Sequence, residues 1–268
     1  MKAWEFCLIA AEPFSDHTQD DSTAGPAHNG ATSCSPPNLL YIAIRSVYAL
    51  PVQTSRTQSP DKFLKTLAWK VQNMIRGGVQ LYGGYWLKRR LWNRAFLRGA
   101  YGSHGSSGDI LYRYLEKYAC NGRILDLGCG AGNTENELNV SKYSEYTGVD
   151  ISDVAIARAK SRTDTSGRAD KNHYVCADIL NYVPAGRFDV ILFRDSLYYL
   201  APSAIKEAIK RYASFLAVDG VFIARLYDAA GRRHAVMEII AQEALVVERS
   251  GGAPVVVVFR CRSSARSY

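Results

Sequence analysis

No stretch of this 268-residue chain reaches 18 consecutive apolar residues, so no membrane-spanning helix is expected. The apolar stretch from Leu39 to Val52 is broken by Arg45 and Ser46. The short run from Trp4 to Ala11 encloses Glu5 and has only Lys2 before it, which makes a poor signal peptide. Cysteine is sparse and unpatterned. The six residues, Cys7, Cys34, Cys120, Cys129, Cys176 and Cys261, contain no CxxC pair. Redox motifs and zinc ribbons are thereby disfavoured, no metal site is expected, and reduced thiols in a cytoplasmic protein are the natural reading. Charged residues make up 22%, which fits neither a coiled coil nor a disordered polymer. What is present is 47% hydrophobic residues, enough to bury a core.

The net charge of +8 is uneven. Residues 1–54 carry two Lys/Arg against five Asp/Glu; residues 55–122 carry twelve against three. The cationic character therefore belongs to one middle segment. Residues 1–60 are read as a disordered extension, because the stretch from Asp16 to Asn38 is polar and rich in Gly, Pro, Ser and Thr.

Residues 61–108 read as a basic helical segment and loop. Phe63, Leu67, Val71 and Met74 recur at helical spacing with Leu64 and Ile75 beside them, and Gly77-Gly78 is the expected stop. A second helix is expected from about Tyr85 to Arg98. Its basic face admits three readings: a solvated face, capture of an anionic acceptor such as nucleic acid, or peripheral contact with a membrane surface. A Gly/Ser-rich loop with Tyr101 and His104 follows, then a third helix from about Asp109 to Tyr118.

From Asn121-Gly122 onward, strands and helices alternate. Strands are expected at Arg123–Cys129, Tyr146–Ile151, His173–Ile179, Phe188–Arg194 and Val221–Tyr227. A hairpin closes the chain, Ala244–Arg249 with Val255–Arg260. The pattern predicts an α/β fold over residues 109–268: a Rossmann-like, doubly wound, mostly parallel seven-stranded sheet with a C-terminal antiparallel hairpin.

Four segments carry the candidate chemistry. In Ile124–Asn133, ILDLGCGAGN, a strand ends in Asp126, and Gly128, Cys129, Gly130 and Gly132 form a turn in which a ligand can lie against bare backbone. The spacing is GxGxG, not the dinucleotide GxGxxG. Glu135 and Glu137 open the next helix and would confront a phosphate there. Asp150, followed by Ile151, ends the second strand and can accept the hydroxyl protons of a ribose. Asp178, followed by Ile179, ends the third and can take the exocyclic amine of an adenine. The fourth strand delivers Arg194, Asp195, Ser196, Tyr198 and Tyr199 to the same edge. Each aspartate could instead cap a turn. His173 and His234 read as structural.

In order and spacing these segments resemble the class I S-adenosylmethionine-dependent methyltransferases, of the type acting on N or O of small molecules. The resemblance covers about residues 109–268. It implies S-adenosyl-L-methionine as cofactor, with Asp126, Gly128, Cys129, Gly130 and Gly132 around its methionine part, Asp150 and Ile151 at the ribose, Asp178 and Ile179 at the adenine, and Arg194 beside them. Asp195, Tyr198 and Tyr199 are the candidate catalytic residues. The family often has a Pro-Gly-Gly-like turn before its fifth strand; here 216–220, LAVDG, fills that place. The tail DSLYYL lacks the paired prolines of amino-methylating DNA enzymes and is similar to small-molecule and amino-sugar N-methyltransferases. No Pro-Cys or Thr-Cys pair follows a strand, which disfavours a covalent cytosine mechanism. The expected acceptor is a small molecule or saccharide. An RNA methyltransferase using the basic segment, and an idle methyltransferase fold serving as a binding subunit, are the alternatives.

Overall fold

The computed structural model describes residues 60–99, 108–227 and 231–262. The expected extension 1–60, apart from Pro60, and the loop residues Tyr101 and His104 lie outside the described residues. Two compact units divide after Leu67.

The described residues open with α1 (Pro60–Tyr82) and α2 (Tyr85–Leu97). Gly77-Gly78 do not end the first helix, contrary to expectation. Neither adopts the left-handed backbone of a helix stop, so the helix runs on to Tyr82 and the Gly83 N–H bonds back to the Val79 carbonyl at 2.9 Å. Next comes α3 (Ile110–Ala119), whose N-cap Asp109 accepts the Leu111 N–H at 3.0 Å.

Seven strands follow: β1 (Arg123–Leu127), β2 (Glu145–Asp150), β3 (Asn172–Cys176), β4 (Phe188–Arg194), β5 (Leu216–Leu226), β6 (Ala244–Arg249) and β7 (Val255–Cys261). They lie in the order β3-β2-β1-β4-β5-β7-β6 in one sheet. The first five are parallel; β7 runs antiparallel between β5 and β6. Between strands come α4 (Thr134–Glu137), α5 (Asp153–Thr165), α6 (Pro202–Ala213) and α7 (Arg232–Glu243). This is the doubly wound sheet with an antiparallel hairpin that the strand pattern predicts.

Alternation along the strands divides the core. Leu125, Ile191, Phe193, Phe222, Val257 and Phe259 pack with Ile205, Ile209 and Tyr212 of α6 and Val236 and Ile240 of α7. Ile124, Tyr146, Val190, Leu192, Ile223 and Val258 pack with Leu111 and Leu115 of α3 and Ile156 and Ala159 of α5. The apolar residues of each helix recur three or four apart, so each buries one stripe. Asp126, two residues beyond Ile124, inherits the face shared with α3 and α5.

The 216–220 segment differs from the expected turn. It belongs to β5, where Phe188 pairs with Leu216 and Val190 with Val221. Four residues on β5 thus oppose one on β4, and the surplus bulges outward, leaving Val218 fully exposed.

Candidate active site

Parallel pairing brings the carboxyl ends of β1, β2, β3 and β4 to one sheet edge, where such folds bind ligands. The turn after β1 has positive φ at Gly128, Gly130 and Gly132. At Gly128 a side chain would also collide, since a Cβ there would lie 2.6 Å from the Cβ of Ser196. The Gly128 and Cys129 N–H groups bond the Val149 carbonyl at 2.8 and 3.1 Å, which pins the turn to β2.

Asp126 is fully buried. Tyr146 donates its hydroxyl to Oδ2 at 2.5 Å, while Oδ1 has no partner. Burial pushes this carboxyl up to about 7, and the neighbouring Glu135 adds to the rise. Asp150 accepts the Ser152 N–H at 2.8 Å and the Gly130 N–H at 3.0 Å, one on each oxygen. Burial raises it to about 6 against the pull of those amides. Each oxygen keeps a further lone pair. Asp178 is half-buried and accepts the Leu180 N–H at 2.9 Å; the Ile179 carbonyl accepts the Tyr212 hydroxyl at 2.6 Å. Ile151 is half-buried, and the Cys129 thiol is buried, with its pKa pushed well up by desolvation, which favours the protonated thiol.

Glu135 and Glu137 do not confront a ligand at the helix start, as the sequence suggested. Glu135 is completely buried, taking the Tyr174 hydroxyl on Oε1, and Glu137 accepts the Tyr112 hydroxyl at 2.9 Å. The helix is a single turn, so its first residues fold back against α3 and β3.

Helix α2 lies over the turn. Phe96 packs against Ala131 and Ala155, and its ring would be 3.5 Å from a Cβ built on Gly130. Asn93 accepts the Ser152 hydroxyl at 2.7 Å and donates to Asp153 at 2.6 Å; Arg89 pairs with Asp153 at 3.1 Å. Trp92 meets the edge of Tyr199, ring centroids 4.7 Å apart, and Tyr199 meets Tyr198 at the same separation. Tyr198 is buried and Tyr199 half-buried.

Asp195 follows β4 with a φ of 54° and spends both oxygens within the protein. Oδ2 pairs with the Arg225 guanidinium and Oδ1 accepts the Tyr227 N–H at 2.9 Å. Arg225 Nε also lies 2.7 Å from Asp109 Oδ2, a charge contact without hydrogen-bond alignment, since that nitrogen has no acceptor. Arg194 sits 3.8 Å from the same carboxylate and donates to Thr134 at 3.1 Å and Tyr112 at 3.2 Å. Two arginines and two aspartates thus neutralise one another between α3, β4 and β5. Arg194 therefore serves this cluster in the structure. The sequence reading missed Asp109 and Arg225. The signal was there: an arginine at the end of an apolar strand needs a carboxylate, and Arg194 and Arg225 are direct neighbours in the β4–β5 register.

An open cavity of about 430 Å³ borders Asn133, Asn136, Arg162 and Thr165, on the helix side of the turn; Asp150, Asp178 and Asp195 do not line it. Among the described residues no group of three or more His, Cys, Asp or Glu could hold a metal ion.

Residues 124–220 match the methyltransferase domain family. Over this stretch the chain is similar to the class I S-adenosylmethionine-dependent methyltransferases. It is 28% identical over 110 residues to the malonyl-[acyl-carrier protein] O-methyltransferase of Bacillus anthracis, covering 40% of this chain and 39% of that protein. It is 31% identical over 97 residues to nodulation protein S of Sinorhizobium fredii, covering 36% and 43%. The chain thus spans less than half the length of these curated relatives. The structure of N-methyltransferase NodS from Bradyrhizobium japonicum WM9 in complex with S-adenosyl-L-homocysteine shares the fold, with a TM-score of 0.52 at 22% identity over 63% of this chain and 98% of that one.

The residues of this edge fit the family's cofactor. The glycine turn leaves backbone bare, the unpartnered Asp126 oxygen suits a nearby cation, Asp150 ends β2, and Asp178 lies two residues past β3, which stops at Cys176 short of the expected Ile179.

Proposed function

We propose that this domain binds S-adenosyl-L-methionine along the β1–β4 edge and transfers a methyl group to N or O of a small molecule or saccharide. The observation that carries the reading is the set of three carboxylates, Asp126 and Asp150 in the last two residues of β1 and β2 and Asp178 two residues beyond β3, around a turn of three left-handed glycines. A binding subunit that never met a cofactor would have no use for Asp150 held buried with only backbone amides to offset its charge.

In this reading Asp150 takes the ribose hydroxyls, Asp178 and Ile179 flank the adenine, and the Gly128–Gly132 turn with Asp126 borders the methionine part. The bound cofactor supplies a methyl on a positively charged sulfur, whose displacement relieves that charge. The protein's task is then alignment and exclusion of water. Phe96 and Trp92 of α2 cover the turn, and Tyr199 offers an aromatic wall at the end of β4. Asp195, engaged by Arg225 and the Tyr227 amide, holds the β4 loop in place. A base is needed only for an acceptor that must lose a proton.

A small acceptor is supported by the β4 loop, Asp195-Ser196-Leu197-Tyr198, which lacks paired prolines. The relative named for O-methylation supports oxygen as an accepting atom. The described cysteines, Cys120, Cys129, Cys176 and Cys261, are unpaired thiols, which fits the expected cytoplasmic compartment. The experiment is transfer of radiolabelled methyl from S-adenosylmethionine into cell extract separated into RNA, protein, glycan and small-molecule fractions. Label in the glycan or small-molecule fraction is expected. Label confined to RNA would move the assignment to an RNA methyltransferase.

A further inference from the structure

Helix α1 leaves an apolar stripe exposed while it buries a glutamine. Within residues 68–82 the buried position is Gln80, only 7% exposed, with Asn73, Arg76, Gly77, Val79 and Leu81 half-buried. The apolar stripe lies on the opposite side: Val71, Met74, Ile75 and Tyr82, with Met74 65% and Ile75 59% exposed. The outward face of α2 continues the pattern. Trp86 is 74%, Leu87 58% and Leu97 67% exposed, interleaved with exposed Arg90 and Arg94. Its other face, through Phe96 and Asn93, covers the glycine turn.

Charge chooses the occupant. Residues 68–99 contain seven Lys/Arg and no Asp or Glu. A second copy of this surface would bring like charges together across a twofold axis. Nucleic acid would use the cations but has no use for Met74, Ile75, Leu87 and Leu97, which are aliphatic and cannot stack on bases. Exposed aliphatics, a tryptophan and a tyrosine among long cationic side chains match the boundary between lipid headgroups and acyl chains, where arginines reach back to phosphates. No helix among the described residues is long and apolar enough to cross a membrane, so the contact is one of lying on the surface.

We propose that the outer faces of α1 and α2 dock this protein on an anionic lipid surface. Because α2 covers the glycine turn with its inner face, docking holds the cofactor edge close to the bilayer.

The test is flotation of the full chain with vesicles of phosphatidylcholine plus phosphatidylglycerol, and with phosphatidylcholine alone. The protein should float with the anionic vesicles only, and less as salt rises. R90Q/R94Q should weaken partitioning roughly 30-fold, and M74S/I75S at least about tenfold. All four positions are exposed and outside the cofactor edge, so both variants should keep the parent's circular dichroism and its affinity for S-adenosylhomocysteine. A parent that stays in the soluble fraction overturns the proposal, as does partitioning unchanged in both variants. Self-association of the parent, abolished by M74S/I75S without any vesicle binding, assigns the stripe to a second copy and overturns it too. So does salt-sensitive RNA binding lost in R90Q/R94Q in a parent that ignores vesicles.

Discussion

Replacing Asp150 by alanine should weaken S-adenosylmethionine binding by about 2–3 kcal/mol, roughly 30- to 150-fold. Its oxygens are already aimed by the Gly130 and Ser152 amides, so the acceptor geometry for two ribose hydroxyls is set before the ligand arrives. The substitution also removes those two acceptors, at a cost of about 1–2 kcal/mol in stability, which the buried sheet can absorb. D150N separates the effects: it keeps one acceptor oxygen and the side-chain volume, yet loses the charge that strengthens the ribose contact. Affinity should also depend on pH. Only the ionised carboxylate accepts on both oxygens, so binding should weaken as pH falls through about 6, by up to about tenfold per unit below it. Titration calorimetry on the parent, D150N and D150A reads all of this. Unchanged affinity in a poorly folded D150A would make Asp150 a structural cap.

Asp126→Asn should do two opposite things. In the protein without ligand, the Asp126 carboxyl is raised by burial to about 7 from an unfolded value near 4. A group raised in the folded state contributes stability that is present below the unfolded value and is lost as pH rises through the folded one. At pH 8 the chain therefore carries the cost of an ionised, buried carboxylate with one oxygen unpartnered. Asparagine removes the charge and still offers an oxygen to the Tyr146 hydroxyl. The variant should be more stable than the parent by roughly 2–4 kcal/mol at pH 8 and by little at pH 4. Cofactor affinity should fall about tenfold, because the turn no longer offers a negative charge to a cationic ligand. Urea unfolding at the two pH values, with calorimetry alongside, measures both. A variant less stable than the parent at pH 8 would show that the Tyr146 contact outweighs the buried charge.

Much of the fold was legible because burial on both sheet faces writes itself into the sequence. RILDL, EYTGVD and FDVILFR are short and apolar, and turn residues bound them. The aspartates closing β1 and β2 stood out because a carboxylate at the end of such a strand has no packing purpose. The early start of β5 was not legible, because Ala217, Val218 and Asp219 bulge out of register and carry no alternation. The Gly77-Gly78 pair misled for a different reason: glycine permits a helix stop without requiring one. Helical period identified the Val71–Met74–Ile75 stripe but not its direction. Only the structure shows that Gln80 is the buried position. The ionic cluster of Asp109, Arg194, Asp195 and Arg225 needed the parallel β4–β5 register to join residues more than a hundred positions apart.

Binding of S-adenosylhomocysteine to the full chain, followed by calorimetry with nicotinamide dinucleotide as control, tests the central claim most directly. The three carboxylates and the glycine turn predict micromolar affinity, about −7 to −8 kcal/mol, for the demethylated product and for S-adenosylmethionine itself. No heat with either ligand, together with binding of the dinucleotide, would contradict it.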